Sequence, residues 1–447
     1  MQQTVDVVGA GLAGSECALQ LADRGVRVRL HEQRPVRMSP AHHTDRFAEL
    51  VCSNSLKSTK PETAAGVLKW ELGAMGCRLL PIAQDCSVPA GGALAVDREK
   101  FSDAVTNAVV SHPLIEVVRE EVTRIPEGPS VIAAGPLCSD ALFKAISEAV
   151  GEGSMSFFDA AAPIVSAESI DRSIAFSQSR YEGGGAGDYL NCPLERDEYD
   201  AFVDALLSAE RVIARDFEQK DLFCACQPIE EVARTGHDSI RFGALKPVGL
   251  TDPRTGHRPW AAVQLRAENA QRTAYNLVGF QTNLTWPEQR RVFRMIPGLA
   301  QAEFLRYGVM HRNSFVDSPH ALDATFAIPG THTRLAGQIT GTEGYVEAIA
   351  SGLLAALNTY AETSGLTYPV LPHTGALGSL VAYATNPATV GYQPMHVNFG
   401  LVPPLEDAPR RKDDRRRRMA ERARNDMAAF VRARQDLFAG IGQESVS

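Results

Sequence analysis

The hydrophobic pattern opens on a short apolar run, Thr4-Val-Asp-Val-Val8, which predicts a strand buried on both faces. Gly9-Ala10-Gly11-Leu12-Ala13-Gly14 follows without a spacer, and Ser15 to Ala22 continues at helical spacing. Gly25 ends that helix, Val26-Arg-Val-Arg-Leu30 predicts a second strand, and Glu32 lies just beyond it. Val131-Ile-Ala-Ala-Gly135-Pro reads as a third apolar strand ending in glycine. Much later, Arg334 to Gly344 followed by an apolar stretch to Asn358 predicts strand, glycine loop and long helix. The middle of the chain has a different texture. Tyr199, Phe202, Val203, Leu206 and Leu207 predict an amphipathic helix over Arg196 to Ala209. Strands are predicted over Ala261–Arg266 and Ala274–Phe280, and a helix over Pro287–Met295 is stopped by Pro297-Gly298. Glu182 to Gly187 is expected to be flexible.

The first thirty residues carry specific chemistry. Gly9 allows a tight strand-to-helix turn, Gly11 lets the backbone approach a pyrophosphate, and Gly14 lets helix and sheet pack closely. The helix start, with Leu12 and Ala13, presents unpaired N–H groups to phosphate. Glu32 is placed to accept hydrogen bonds from ribose hydroxyls. The late unit, with Gly337, Gln338, Glu343 and Gly344, resembles the second flavin-binding segment of two-part FAD enzymes. In that resemblance the helix start near Gly344 faces the pyrimidine edge of the flavin, and Gly135 sits beside the cofactor. The expected class is therefore α/β: an FAD-binding dinucleotide (Rossmann-like) fold with an inserted α+β domain. The expected division is 1–165 for the first part of the FAD-binding domain and 166–310 for the inserted substrate domain. Residues 311–447 form the second part, ending in a basic helix.

Composition narrows the class further. The chain has 447 residues, 44% hydrophobic and 22% charged, as in a soluble globular protein with a large core. No apolar run is long enough for a membrane span and no secretory signal opens the chain, so a cytoplasmic location is expected. Net charge is −8, which argues against general nucleic-acid coating but permits a local basic face. That face has a candidate in Pro409 to Arg424, a basic run with helical pattern continuing to about Phe438. It reads either as a solvated helix face or as a phosphate-contacting helix. Eight cysteines are scattered without C-x-x-C spacing, so neither a disulfide framework nor a zinc site is expected. His311, His332 and His373 offer no metal-ligand spacing, and no metal is assigned.

Four longer segments carry a resemblance. Phe47-Ala-Glu-Leu-Val-Cys52-Ser-Asn-Ser-Leu-Lys57 is similar to a segment shared by two FAD-dependent tRNA-modifying families. Cys226-Gln-Pro-Ile-Glu-Glu231, Arg241 to Leu250, and Tyr392 to Pro404 resemble motifs of one of them, the folate-dependent tRNA (uracil-5-)-methyltransferases. The resemblance implies transfer of a one-carbon unit from 5,10-methylenetetrahydrofolate to C5 of uridine 54 in the tRNA T loop. FAD would carry the carbon and supply reducing equivalents, with NADPH or NADH as reductant. A thiolate adding to C6 would turn C5 into an enolate carbon. Cys226 is the expected nucleophile and Cys52 the second thiol, as base or guard of the flavin adduct. Cys224, close to Cys226, leaves open which thiol acts. Glu343 and Tyr345 would border flavin and folate, while Lys57 and Lys246 either meet phosphate or the folate glutamate or sit at the surface with no ligand. Wobble-uridine modification and a small-molecule FAD oxidoreductase are the alternative readings.

Overall fold

A computed structural model describes residues 4–438 apart from 40, 152–153, 181–186, 213–226 and 309. Cys226, Cys224 and most of the glycine-rich run 182–187 therefore lie outside the described residues. Thr4–Val8 sits at the centre of a five-stranded parallel sheet. The strand order across that sheet is Thr333–Leu335, Ser130–Ile132, Thr4–Val8, Arg27–Glu32 and Ile115–Arg119. Val5, Val7 and Val8 are buried as expected, but Asp6 is only partly so. Its carboxylate meets His31 Nε2 at 2.9 Å, and Glu120 meets Nδ1 at 3.0 Å, a polar pairing that needs access to water.

The first helix runs Leu12–Asp23, three residues earlier than its predicted start. The glycine turn is complete by Gly11, which takes an extended conformation as the residue preceding the helix. Leu12 to Ala22 are all buried, because this helix lies between the sheet and the long helix Tyr345–Thr363. Such all-round burial explains why the segment reads as nearly uniformly apolar.

A second, six-stranded antiparallel sheet has its own core. Its order is Phe176–Ser177, Tyr189–Leu194, Ala261–Ala267, Ala274–Leu277, Ile164–Ser166 and Phe304–Arg306. The helix Arg196–Ser208 buries Tyr199, Phe202, Val203 and Leu206 in this core, with Leu207 half-buried. The strand expected to reach Phe280 stops at Leu277, since Gly279 turns the chain at φ +78°. Trp286–Phe293 replaces the helix expected over Pro287–Met295; Pro287 sits in its first turn, where no N–H is needed. Buried apolar residues fall into one large cluster drawn from Val5–Ile146 and Phe315–Phe438, and another from Ala162–Ala302. Between them Ser154–Ala160 pairs antiparallel with Met310–Val316, a two-stranded ribbon by which the chain leaves and returns.

The basic run forms the helix Lys412–Ala433. Met419, Ala420, Ala423, Met427 and Val431 make its buried stripe, and it packs against the helix Ala64–Ala74. Several arginines tie it down: Arg418 donates to the Asp407 carbonyl at 2.7 Å and Arg424 to the Pro61 carbonyl at 2.8 Å. Arg415 and Arg417 stay exposed. Among the described residues no helix is long and apolar enough to cross a membrane.

Candidate functional site

A cleft with about 980 Å³ of space, its mouth included, opens at the carboxyl ends of the parallel strands. Nucleotides bind open α/β sheets at this end. Gly9, Gly11, Leu12, Ala13, Glu32, Gly135, Gly337 and Gln338 line it. Ala10 and Gly14 stand behind that wall. Ala10 donates its N–H to Glu32 at 2.9 Å, and a Cβ on Gly14 would fall 1.7 Å from the Gly9 carbonyl oxygen. A Cβ on Gly11 would meet nothing within 4 Å, so its backbone faces open cleft. The cradle fits a dinucleotide pyrophosphate on that ground.

Glu32 does more than wait for a ribose. Arg34 donates to it from the backbone N–H at 3.0 Å and from Nε at 2.9 Å. Burial alone would raise its pKa, but the Arg34 contacts and the Ala10 N–H outweigh it and hold the carboxyl below its ordinary range. Arg34 is itself buried and reaches Glu49 at 3.2 Å, so two carboxylates share one guanidinium at the cleft wall. His42 completes this corner, accepting or donating at 2.6 Å with Ser39 Oγ. Burial and the Arg34 charge push its pKa down to about 4. Cys138 also lines the cleft, and burial pushes its thiol up to about 12. Sequence reading missed these four residues. Only the close spacing of Glu32 and Arg34 at a strand end was available as a signal.

The late glycine unit divides between the cleft wall and the groups behind it. Gln338 lines the cleft and donates to Glu343 at 2.6 Å, which places Glu343 behind it. Tyr345 and Ala348 line the cleft, whereas Gly344 faces Lys57 and Glu347. Lys57, for which a ligand anion and a ligand-free surface role were both open, bonds the fully buried Glu347 at 2.7 Å. Lys246 lies half-buried, its carbonyl accepting from Arg180 at 2.5 Å.

Tyr345 joins the cleft to the cysteine segment. Its hydroxyl oxygen accepts from the Cys52 N–H at 2.8 Å and the Ser53 N–H at 3.2 Å. Burial pushes its pKa up, which keeps the hydroxyl protonated. Around Cys52 stand Arg98, Arg266 and Arg306, each interacting electrostatically with it. Arg98 Nη2 donates to the Cys52 carbonyl at 3.0 Å and pairs with the buried Glu268. Asn54 bonds the Val96 and Ala267 carbonyls at 3.0 Å each and accepts from Arg266 Nε at 2.7 Å. The cysteine segment is thereby clamped between the parallel-sheet body and the end of the strand Ala261–Ala267. Arg98→Ala removes the guanidinium bonded to the buried Glu268, leaving only the more distant Arg266 charge, at an expected cost of roughly 3 kcal/mol. Urea unfolding checks this, and adding Glu268→Gln should recover part of the loss.

Cys226 lies outside the described residues, but the flank that follows it is firmly held. Ile229 donates its N–H to the Gln281 carbonyl at 2.7 Å. Glu230 is fully buried and accepts from Thr282 Oγ1 at 3.0 Å and from the Asn283 N–H at 2.5 Å. Glu231 pairs with Arg211 at 3.0 Å. Burial raises the Glu230 pKa from 4.5 to about 7. A folded pKa above the unfolded one means that Glu230 favours folding below pH 4.5 and loses this as pH rises through about 7. The full loss is roughly 3 kcal/mol. Thermal unfolding from pH 5 to 8 should therefore show a smaller decline for Glu230→Gln than for the parent. Among the described residues no group of three His, Cys, Asp or Glu side chains is placed to hold a metal.

Comparison with known proteins places the chain. The family model of Glucose inhibited division protein A matches residues 4–367. Solved structures of Aquifex aeolicus GidA share the fold, with TM-scores of 0.71 and 0.72 at 15% and 14% identity. They cover 99% and 98% of this chain and 74% and 77% of those chains. Methylenetetrahydrofolate–tRNA-(uracil-5-)-methyltransferase TrmFO of Geobacter sulfurreducens is 56% identical over 95% of this chain and 98% of its own. The protein of that name from Listeria monocytogenes is 51% identical over 95% and 98%, and that from Brevibacillus brevis 50% identical over 97% and 100%. With this identity over nearly the whole length, the chain belongs to the methylenetetrahydrofolate–tRNA-(uracil-5-)-methyltransferase family.

Proposed function

We propose that this protein transfers a one-carbon unit from 5,10-methylenetetrahydrofolate to C5 of uridine 54 in the tRNA T loop, giving 5-methyluridine. The observation that carries the reading is the joining of a glycine-walled nucleotide cleft to a cysteine segment through Tyr345. FAD is the nucleotide that fits this scheme. Gly9, Ala10, Gly11, Leu12, Ala13, Gly14, Glu32, Gly135, Gly337 and Gln338 would hold it, supported by Glu343 and Gly344. When bound and reduced by NADPH or NADH, FAD supplies the reducing equivalents and carries the carbon. We take 1–165 and 311–447 as its domain and 166–310 as the domain that receives the RNA.

The chain's own groups act on the base. The Cys226 thiolate adds to C6 of uracil, forming a C6–S bond and leaving an electron pair on C5. That pair bonds the one-carbon unit as the unit's bond to its carrier breaks, and this methylene-level carbon would become methyl by gaining a hydride equivalent that reduced FAD would supply. A base then removes the C5 proton and the C6–S bond breaks, returning the thiolate. Cys52, amid three arginines, is the second thiol, serving as that base or guarding the carbon carrier. A uridine in a folded T loop must leave its stack to reach these groups. The test is methyl incorporation into T-arm transcripts: the reading expects 5-methyluridine at position 54 and none when that uridine is replaced by cytidine. Equal incorporation into the cytidine transcript would refute the assignment.

A further inference from the structure

Beside the cysteine segment, and outside the nucleotide cleft, three aromatic rings form a single stack. The ring of Tyr307 lies between those of Phe304 and Trp286, with centroid distances of 5.1 and 5.4 Å and an interplanar angle of 14° to each. Phe304 and Tyr307 are half-buried, but Trp286 at the end is 58% exposed. The stack is rigidly mounted. Arg290 donates from Nη2 to the Tyr307 hydroxyl at 2.7 Å, and Gln289 donates to the Gly308 carbonyl at 2.9 Å while accepting from its N–H at 2.8 Å. The indole is held in place yet presents a flat aromatic face to solvent, the geometry a stacking partner needs.

Its location says what binds there. Arg306, between Leu305 and Tyr307, donates to the Val51 carbonyl at 2.9 Å and so holds the residue before Cys52. The segment leading into Trp286 holds both flanks of 213–226. The Asn283 carbonyl accepts from Val212, while the Gln281 carbonyl accepts from Ile229. The stack thus adjoins the residue before Cys52 on one side and, through the segment leading into Trp286, the described flanks Val212 and Ile229 on the other. Arg290 lies against the stack, its guanidinium 5.9 Å from the Tyr307 ring centre, whereas Arg291 pairs with Glu288 at 2.6 Å and Arg294 donates to the Ala302 carbonyl at 2.8 Å.

We propose that the Trp286 indole is a stacking platform for a nucleobase adjoining the target uridine, with Arg290 beside it to meet the RNA backbone. This rests on the tRNA reading above and assigns part of the RNA site. Extruding one base from a loop strips its neighbour of a stacking partner. A fourth flat ring added to this stack restores that contact, and stacking on an aromatic side chain tolerates any base.

The experiment measures the Kd of the full-length protein for T-arm RNA by filter binding, and tryptophan quenching in the same titration. Trp286→Ala is expected to raise Kd about ten-fold, with Trp286→Phe within about two-fold of the parent. Quenching should largely disappear in Trp286→Phe, leaving only Trp70 and Trp260 to report. Parent-like Kd and quenching in these variants overturn the platform. So does a change of oligomeric mass in Trp286→Ala, which would make the face a contact between copies. If the parent protein itself neither binds nor methylates T-arm RNA, the tRNA reading has failed, which separates that outcome from failure of the platform alone.

Discussion

Gly11→Val is expected to yield a folded protein that purifies almost without yellow colour. Gly11 takes φ −73°, a conformation open to any residue, and a Cβ there meets no atom within 4 Å. The folded chain therefore accepts the side chain, which then fills the space a pyrophosphate needs. Flavin occupancy, read as the ratio of absorbance at about 450 nm to that at 280 nm, should fall at least about ten-fold, since one lost phosphate contact and a clash exceed 1.4 kcal/mol. Far-ultraviolet circular dichroism should stay close to that of the parent. Gly14→Val makes the contrast. Its Cβ would lie 1.7 Å from the Gly9 carbonyl oxygen, so helix and turn cannot keep their places and the protein should fail to fold. A fully yellow Gly11→Val protein would show that the nucleotide does not lie against this loop.

Cys226→Ser and Cys52→Ala should each lower tRNA methylation by on the order of 10³-fold or more, as removal of a reacting group does. The two should differ in what survives. RNA carrying 5-fluorouridine at the target position blocks proton loss from C5, so the covalent protein–RNA species accumulates. Cys52→Ala, which retains the proposed nucleophile, should still form that species on a denaturing gel. Cys226→Ser should not. The reverse pattern would exchange the two roles.

The first glycine loop was legible because its function is local. The turn, the close helix and the acid that follows are neighbours in sequence, and the spacing from Gly9 to Glu32 reflects their geometry. The Rossmann-like class followed from the same residues. What escaped was set by pairs far apart in the chain. Tyr345 meets the Cys52 N–H across 293 residues, and Lys57 meets Glu347 across 290. No local pattern announces that Lys57 is committed to a buried carboxylate, so the sequence leaves a ligand-facing and a ligand-free cation equally open. The basic tail was ambiguous for a related reason: arginines that donate to backbone carbonyls, as Arg418 and Arg424 do, look like any other charge run. His42 and Cys138 reach the cleft wall only through the folding of loops whose sequence carries no recognisable signature.

The central claim is that the carbon comes from folate and ends on the uracil ring. It is tested most directly by incubating the purified protein with unmodified tRNA, NADPH and 5,10-methylenetetrahydrofolate labelled in its methylene carbon, then digesting the RNA to nucleosides. The account predicts label in 5-methyluridine from the T loop, dependent on reductant and absent with Cys226→Ser. NADPH oxidation with no label in the RNA would contradict it.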